Sequence, residues 1–531
     1  MIRVNNIHLS LDYDDKSVRK AVAQQLRIEE KSIRSCTIFR RSVDARKKDN
    51  IYFLTTVDAE LNINEDKVCK KCGNAQIAKK YEYNQMKFGN APSPVVVGAG
   101  PAGLFAALIL ARSGANPILI ERGRDVDRRT ADVNRFWTSG QLDTTSNVQF
   151  GEGGAGTFSD GKLNSGTKDI RQRKVLEEFV SHGAPDEILY NAKPHIGTDM
   201  LKGTIKNIRN EIIELGGSVM FETKLVSMAF SDNKLKSITV ETANGDEIIE
   251  TDNVILAIGH SARDTFEMLY DLKLPIEAKP FSVGARIEHL REKVDKAQYG
   301  RFAGNKKLGS ANYKLSTHLD NGRGVYTFCM CPGGKVVNAS SEENRLCTNG
   351  MSEFARNAEN SNSALLVGIN PDDYESDHPL AGMYLQRKLE SKAFVAGGEN
   401  YNAPIQRVDD FLNNRKSTHL GDVKPSIGPN YEFSNLNEIL PEYISTSMAQ
   451  GIVKMGRMLH GFDDGDAVLT GVESRSSSPV RIMRKTDTLE SILIKGLYPC
   501  GEGAGYAGGI ISAAVDGIKC AEKIIEKSNK N

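Results

Sequence analysis

Thiols, a histidine, a lysine and several arginines stand beside glycine-rich turns along this chain, and such groups can move electrons, protons or bound anions. Cys329-Met330-Cys331 and Cys500 offer sulfur chemistry. A CxC spacing closes a disulfide only with strain, and Cys500 reads as a small buried residue, so neither is the expected reagent. His260 follows an apolar run and is a candidate proton donor, with a hydrogen-bonded loop histidine as the alternative. His195, within Lys193-Pro194-His195, poses the same choice. Arg475 and Arg481 lie among hydroxyls, where Arg475 would anchor an anionic substrate or pair with an acid such as Glu473. Lys162 and Ser159 belong to a glycine-rich stretch from Gly151, with Gly153 and Gly154 inside it, suited to backbone wrapped round a ligand. Cys69 and Cys72 form a CxxC with no second pair and no nearby histidine. No cluster shows metal-ligand spacing, so no metal is expected.

What these groups would act beside is set by Val95-Val96-Val97-Gly98-Ala99-Gly100-Pro101-Ala102-Gly103. Three β-branched residues read as a buried strand, and GxGxxG then opens the apolar helix 104–112. Residues 117–120 return as the next strand, ending in Glu121, 23 positions after Gly98. Gly98 makes the tight turn, Gly100 lets backbone approach a pyrophosphate, and Gly103 allows close packing of helix on strand. The helix N-terminus supplies free N–H groups and a positive dipole end, and Glu121 is placed to accept from a ribose diol. These parts together specify a dinucleotide site.

A second station lies at Gly496–Ile510, where a strand ends in Gly501-Glu502 and a loop containing Gly508-Gly509 opens the helix 510–527. A nicotinamide dinucleotide has no need of it. A flavin does, because its ribityl chain and ring extend well beyond the pyrophosphate. Glu502 can hold a ribityl hydroxyl, and N–H groups near Gly509 and Ile510 can stabilise negative charge on a reduced ring. A third segment, Val254–His260, is a buried strand ending in the small residues Ala257 and Gly259. FAD is the expected cofactor. No second strand–GxGxxG–helix unit follows residue 121, so the reductant would be the substrate itself, transiently bound NAD(P)H or a protein donor.

The elements around these segments divide the chain into a small N-terminal unit (1–90), a cofactor domain in two parts (91–275 and 451–531) and a substrate or cap domain (276–450). In the first unit, 7–11 alternates as a strand, and Val18, Val22 and Leu26 mark a helix face. Residues 33–43 and 51–61 pair across a polar turn, a β-α-β-β order that resembles half of a ferredoxin-like fold. The Lys-rich stretch 62–90 reads as a connector. An amphipathic helix is predicted at 198–215, with Leu201, Ile205, Ile208, Ile212 and Leu215 on its buried face. Near Gly451 the chain is expected to return to the cofactor domain.

At 531 residues the chain exceeds one ordinary core. Its 39% hydrophobic and 26% charged residues fit a globular protein rather than a disordered or membrane one. The apolar run 95–111 is short and broken by glycines and a proline, which excludes a membrane span. The start lacks the apolar core of a secretory signal, and eight cysteines without dense spacing form no disulfide scaffold, so the cytoplasm is the expected location. A net charge of +1 hides an asymmetry: residues 1–90 hold 18 Lys/Arg against 12 Asp/Glu, and the remainder 51 against 56. A solvated surface accounts for the basic first unit, and nucleic acid is not an expected partner.

The three cofactor segments, in this order, resemble the glutathione-reductase-like superfamily of FAD proteins. Phe150–Leu163, Lys193–Thr198, Thr327–Gly334 and Thr470–Pro479 make the chain similar, over nearly its whole length, to a group of bacterial FAD-dependent dehydrogenases. The resemblance implies an α/β fold: a Rossmann-type FAD-binding domain with an inserted α+β substrate or cap domain and a small N-terminal ferredoxin-like α+β domain. It places Gly98, Gly100, Pro101, Ala102, Gly103, Glu121 and Arg122 at the adenosine and pyrophosphate, and Val226, Ala257 and Gly259 beside the adenine. Gly153 and Gly154 fall in the wrapping loop, while Gly501, Glu502, Gly508, Gly509 and Ile510 meet the ribityl chain and ring. Glu502 stands where the superfamily usually has aspartate. The implied function is an FAD-dependent oxidoreductase that passes hydride between flavin N5 and a small, anionic substrate, with His260, Arg475 and Lys162 as the catalytic candidates. Two rival readings are a flavoprotein acting on RNA through the N-terminal unit, and a flavin-binding sensor without turnover.

Overall fold

In the computed structural model, which describes residues 1–166 and 168–530, the run Val95–Val97 is the central strand of a five-stranded parallel sheet. The spatial order is Leu497–Pro499, Val254–Leu256, Val95–Val97, Ile118–Ile120, Ser218–Met220. Val95–Val97, Val254–Leu256 and Leu497–Pro499 are each only three residues long and wholly buried, which is why they read as apolar runs rather than alternations. The helix Pro101–Ser113 covers one face, with Gly100 as its N-cap and Gly114 as its left-handed C-cap. It lies directly against the helix Ile510–Ser528: a Cβ on Gly517 would stand 2.0 Å from the carbonyl oxygen of Ala102. The helix Gly197–Glu214 packs beside them through Leu201, Ile205, Ile208 and Ile212, but Leu215, assigned to the same stripe, falls at the C-cap and is exposed. Three antiparallel strands, Lys224–Ser231, Lys234–Thr242 and Gly245–Glu250, connect the outer strand back to the sheet's middle.

The second layer is a seven-stranded sheet in the order Ser316–His318, Gly324–Cys331, Asn360–Ile369, Phe281–Leu290, Val468–Glu473, Ala403–Arg407, Tyr431–Phe433. The chain therefore stays in this layer until Glu473, beyond the return expected at residue 450. Gly451 belongs instead to the helix Glu442–Gly456, where a Cβ would stand 2.6 Å from Val325; this glycine allows helix-on-sheet contact and marks no boundary. Ile276–Ala278 and Val480–Ile482 pair antiparallel where the chain passes between the layers.

The N-terminal unit has the order β-α-β-β-α-β, with its strands arranged Ile33–Asp44, Tyr52–Leu61, Ile2–Leu9, Ala75–Ile77. The expected connector at 62–90 is thus partly structured. Glu65–Lys71 is a helix, capped by Asn64 and anchored by Val68, and Ala75–Ile77 adds an edge strand to Ile2–Val4. Farther along, Tyr83 donates to Glu522 at 2.9 Å and Gly89 N–H to Ser528 Oγ at 2.9 Å, which ties the segment to the helix Ile510–Ser528.

Candidate functional site

Parallel strands open a crevice beyond their carboxyl ends, and here the ends of Val95–Val97, Ile118–Ile120, Val254–Leu256 and Leu497–Pro499 meet one cavity of about 380 Å³. Its floor is the Gly98–Ala102 turn. Gly98 has φ +100°, and a Cβ there would stand 2.4 Å from the Ala257 carbonyl oxygen, so this position tolerates no side chain. A Cβ on Gly259, Gly508 or Gly509 would meet nothing within 4 Å. These glycines border open space and let a ligand lie against backbone.

At one end, Glu121 is buried and accepts from three backbone amides: Ala99 (2.8 Å) on Oε2, and Gly123 and Gly151 (3.0 Å each) on Oε1. A carboxylate has about four acceptor sites, so roughly one is left for a hydroxyl of a bound ligand. Arg122 donates to Asp264 (3.0 Å) and Thr265 (2.8 Å), and its guanidinium lies 4.5 Å from the Phe150 ring. Burial raises the Asp264 carboxyl, but the Arg122 and Lys224 charges win and hold it down at about 2. The glycine-rich loop is gripped from behind by Arg129, which is fully buried and donates to the carbonyls of Asn147, Val148 and Glu152 at 2.8, 2.9 and 2.6 Å. Burial pushes this guanidinium down to about 10. Nothing in the composition of 151–162 announces Arg129; its signal is an arginine on the inward face of the helix Val126–Ser139.

At the other end, His260 Nδ1 lies 3.3 Å from Glu502 Oε1, while His260 Nε2 is buried without a partner. Lys162 Nζ is 3.0 Å from Asp160, whose carboxylate also accepts from Arg356 at 2.9 Å. Burial opposes the Lys162 charge, yet Asp160 and the neighbouring thiols raise its pKa above the usual lysine value. The seven-stranded sheet contributes Phe328, Cys329, Asn349 and Glu473 to the same lining. Arg286 pairs with Glu473 (2.7 Å) and donates to the Cys329 carbonyl (2.9 Å). Burial, only partly offset by Arg286, pushes Glu473 up to about 7. Sequence reasoning passed over Arg286, although charges at 286 and 288 in an otherwise apolar strand are a readable signal.

Of the residues singled out in the sequence, Gly98, Gly100, Pro101, Ala102, Glu121, Arg122, Gly154, Ala257, Gly259, Gly501, Glu502, Gly508, Gly509 and Ile510 line the cavity, as do His260, Arg475 and Lys162. Three do not. Gly103 serves packing: a Cβ there would stand 1.8 Å from the Gly98 carbonyl oxygen. Gly153 faces Thr157 and Ile205. Val226 is out of phase, because Thr223 and Leu225 face the cavity and strand side chains alternate. Arg475 also differs from expectation. It is bidentate to Glu390 (2.9 and 2.8 Å), which Arg263 grips as well (2.7 Å from each of two nitrogens), while Glu473, the acid expected to pair with it, belongs to Arg286. This buried network clamps the helix Ala381–Ala396 to both layers and leaves Arg475 no open fork for a substrate anion.

Residues 93–132 match an FAD binding domain family, residues 280–476 the FAD-dependent protein, C-terminal domain-like family, and residues 1–60 a domain of unknown function. An uncharacterized protein from Clostridium beijerinckii is 50% identical over 532 residues, covering 99% of each chain. Among solved structures, the chain is distantly similar to a flavin-dependent brominase (13% identity, TM-score 0.38, 83% of this chain and 80% of that one). It is also distantly similar to a glycine oxidase from Bacillus cereus (11%, TM-score 0.32, 82% and 95%). A glycine turn closed to a side chain at Gly98, a helix N-terminus pointed at the cavity and an orphaned imidazole nitrogen all fit a long phosphate-bearing ligand. The chain belongs to the same family as the Clostridium beijerinckii protein, a family of FAD-dependent proteins, and its cofactor is FAD.

Proposed function

We propose that the protein is an FAD-dependent oxidoreductase that passes hydride between flavin N5 and a small molecule held beneath the seven-stranded sheet. The observation that carries this reading is that one cavity is lined both by the Gly98–Ala102 turn and by Cys329, Asn349 and Glu473 of the second layer. Gly98, Gly100 and Ala102 would lie along the pyrophosphate, Glu121 and Arg122 at the adenosine, and Gly501, Glu502, Gly509 and Ile510 at the ribityl chain and ring. When bound, FAD supplies a two-electron acceptor. His260 is then the proton-handling group of the cavity lining: its Nδ1 lies 3.3 Å from Glu502 and its buried Nε2 has no hydrogen-bond partner of its own. Lys162, raised in pKa and facing the same space, favours negative charge on ligand or ring.

The first unit's β-α-β-β-α-β order supports a ferredoxin-like reading, and the parallel sheet a Rossmann-type, glutathione-reductase-like one. Among the described residues no helix is long and apolar enough to cross a membrane, which is compatible with a cytoplasmic site of action. The test is anaerobic mixing of the yellow protein with a panel of metabolites that includes NADH and NADPH. Rapid bleaching of the flavin absorbance by one compound identifies the donor. A flavin that no compound bleaches, and that no acceptor reoxidises after photoreduction, defeats the reading.

A further inference from the structure

The chain carries two thiols at the cavity that the proposed hydride transfer leaves without a role. Cys329 and Cys331 end the strand Gly324–Cys331 where its register slips: Phe328 pairs with Ala364, but Cys331 pairs with Asn362. Two residues on one strand, Cys329 and Met330, therefore oppose one on its partner, Ser363, a β-bulge. Cys329 sits in that bulge at φ +42°, a left-handed conformation that a side chain such as cysteine seldom adopts, and such outliers gather at functional sites. It faces the cavity beside Lys162 and Glu473, whereas Cys331 is fully buried behind it, its Sγ 3.3 Å from the Cys329 carbonyl oxygen.

In a regular strand, residues i and i+2 stand about 6.6–6.8 Å apart, at the upper end of the Cα separation a disulfide spans. That spacing is the obstacle to a CxC bridge, and here a bulge with one residue turned left-handed breaks the extended repeat that imposes it. The charges are arranged for sulfur chemistry as well. The neighbouring Cys331 thiol, with the Lys162 and Arg286 cations, favours the Cys329 thiolate. The same neighbour relation, and burial, keep Cys331 protonated, its thiol donating to the Cys329 carbonyl. An outer thiolate backed by an inner thiol is the division of labour between an attacking and a resolving cysteine.

We propose that Cys329 and Cys331 are a redox-active dithiol that exchanges two electrons and two protons with the FAD, an assignment that rests on the flavin occupying this cavity. In the oxidising direction both thiols lose their protons, one sulfur–sulfur bond forms, and two electrons and two protons reduce the flavin. In reverse, the pair is regenerated as the flavin is oxidised. The substrate class that follows is a disulfide or thiol compound able to reach Cys329: its disulfide is cleaved to two thiols as the protein pair becomes the disulfide.

The experiment uses the purified, air-oxidised holoprotein. Oxygen keeps the flavin oxidised, so the dithiol should be oxidised with it. Thiol titration after denaturation should find two fewer thiols than the eight cysteines of the chain, and peptide mapping should locate a Cys329–Cys331 crosslink. Anaerobic dithionite titration should consume two electron pairs per FAD in the wild type and one in Cys329→Ser. A full count of thiols, a crosslink between Cys500 and Cys520 instead, or a single electron pair in the wild type overturns the assignment. The thiol count and the map need no variant, so a Cys329→Ser protein that fails to fold does not rescue it. If a metabolite bleaches the flavin while only one electron pair is taken up, the dithiol falls and the oxidoreductase reading stands. If the protein takes up no FAD, the site itself is wrong.

Discussion

Glu121 shows how one side chain can serve fold and ligand together. Its two oxygens hold the Ala99, Gly123 and Gly151 amides, so it fixes the glycine turn and the wrapping loop before any ribose arrives. Glu121→Gln replaces one acceptor by a donor facing buried donors, an error of about 1–3 kcal/mol. We expect FAD affinity to fall roughly 10- to 100-fold, measured by flavin fluorescence on rebinding to the apoprotein. His260 is tested by His260→Gln, which keeps a polar side chain but cannot carry the proton: kcat should fall about 100-fold with FAD content unchanged. A variant that keeps full kcat removes His260 from the chemistry. At this scale the sequence was legible where backbone dictates residue type, as at Gly98, and illegible where partners come from distant segments. Arg475 looked like an open anion anchor because nothing in its own neighbourhood announces Glu390, 85 residues earlier.

At the scale of elements, periodicity decided what could be read. The helix predicted at 510–527 is observed at Ile510–Ser528, because its apolar face repeats over five turns. The helix Glu65–Lys71 buries only Val68, and the strand Ala75–Ile77 is three residues long, so neither leaves a pattern to detect. The same contact that seals the helix Ile510–Ser528 to its neighbour makes a test. Gly517→Ala would put a methyl against the Ala102 carbonyl and should cost about 1–3 kcal/mol, read as a lower denaturation midpoint and a looser cofactor.

At the scale of the whole molecule, the two layers meet at polar seams as well as through the cavity. His195 lies on the cofactor side, stacks on Phe354 at 5.2 Å and shares a hydrogen bond with its carbonyl at 3.0 Å. Burial, helped by the Arg356 charge, pushes the imidazole down to about 4 from its usual 6.5. A depressed base contributes stability that is complete above 6.5 and is lost as pH falls toward 4, as the unfolded chain takes up the proton first. The loss is as much as about 3 kcal/mol at 1.36 kcal/mol per unit. His195→Gln keeps a donor to Phe354 but cannot titrate, so its unfolding free energy should lack this part of the acid decline. Parallel curves for variant and wild type between pH 6.5 and 4 would count against the assignment.

The cavity's two walls are far apart in the chain: Ala102 and Ile510 are separated by 407 intervening residues, yet the helices they belong to touch at Gly517. At a synthesis rate of about 5–20 residues per second, the first wall leaves the ribosome roughly 20–80 s before its mate. For that interval the apolar face of Pro101–Ser113 has no cover and the vitamin-derived cofactor has no second handhold. Loading is therefore a late event of biogenesis, and a chain whose translation stops before residue 500 should emerge colourless.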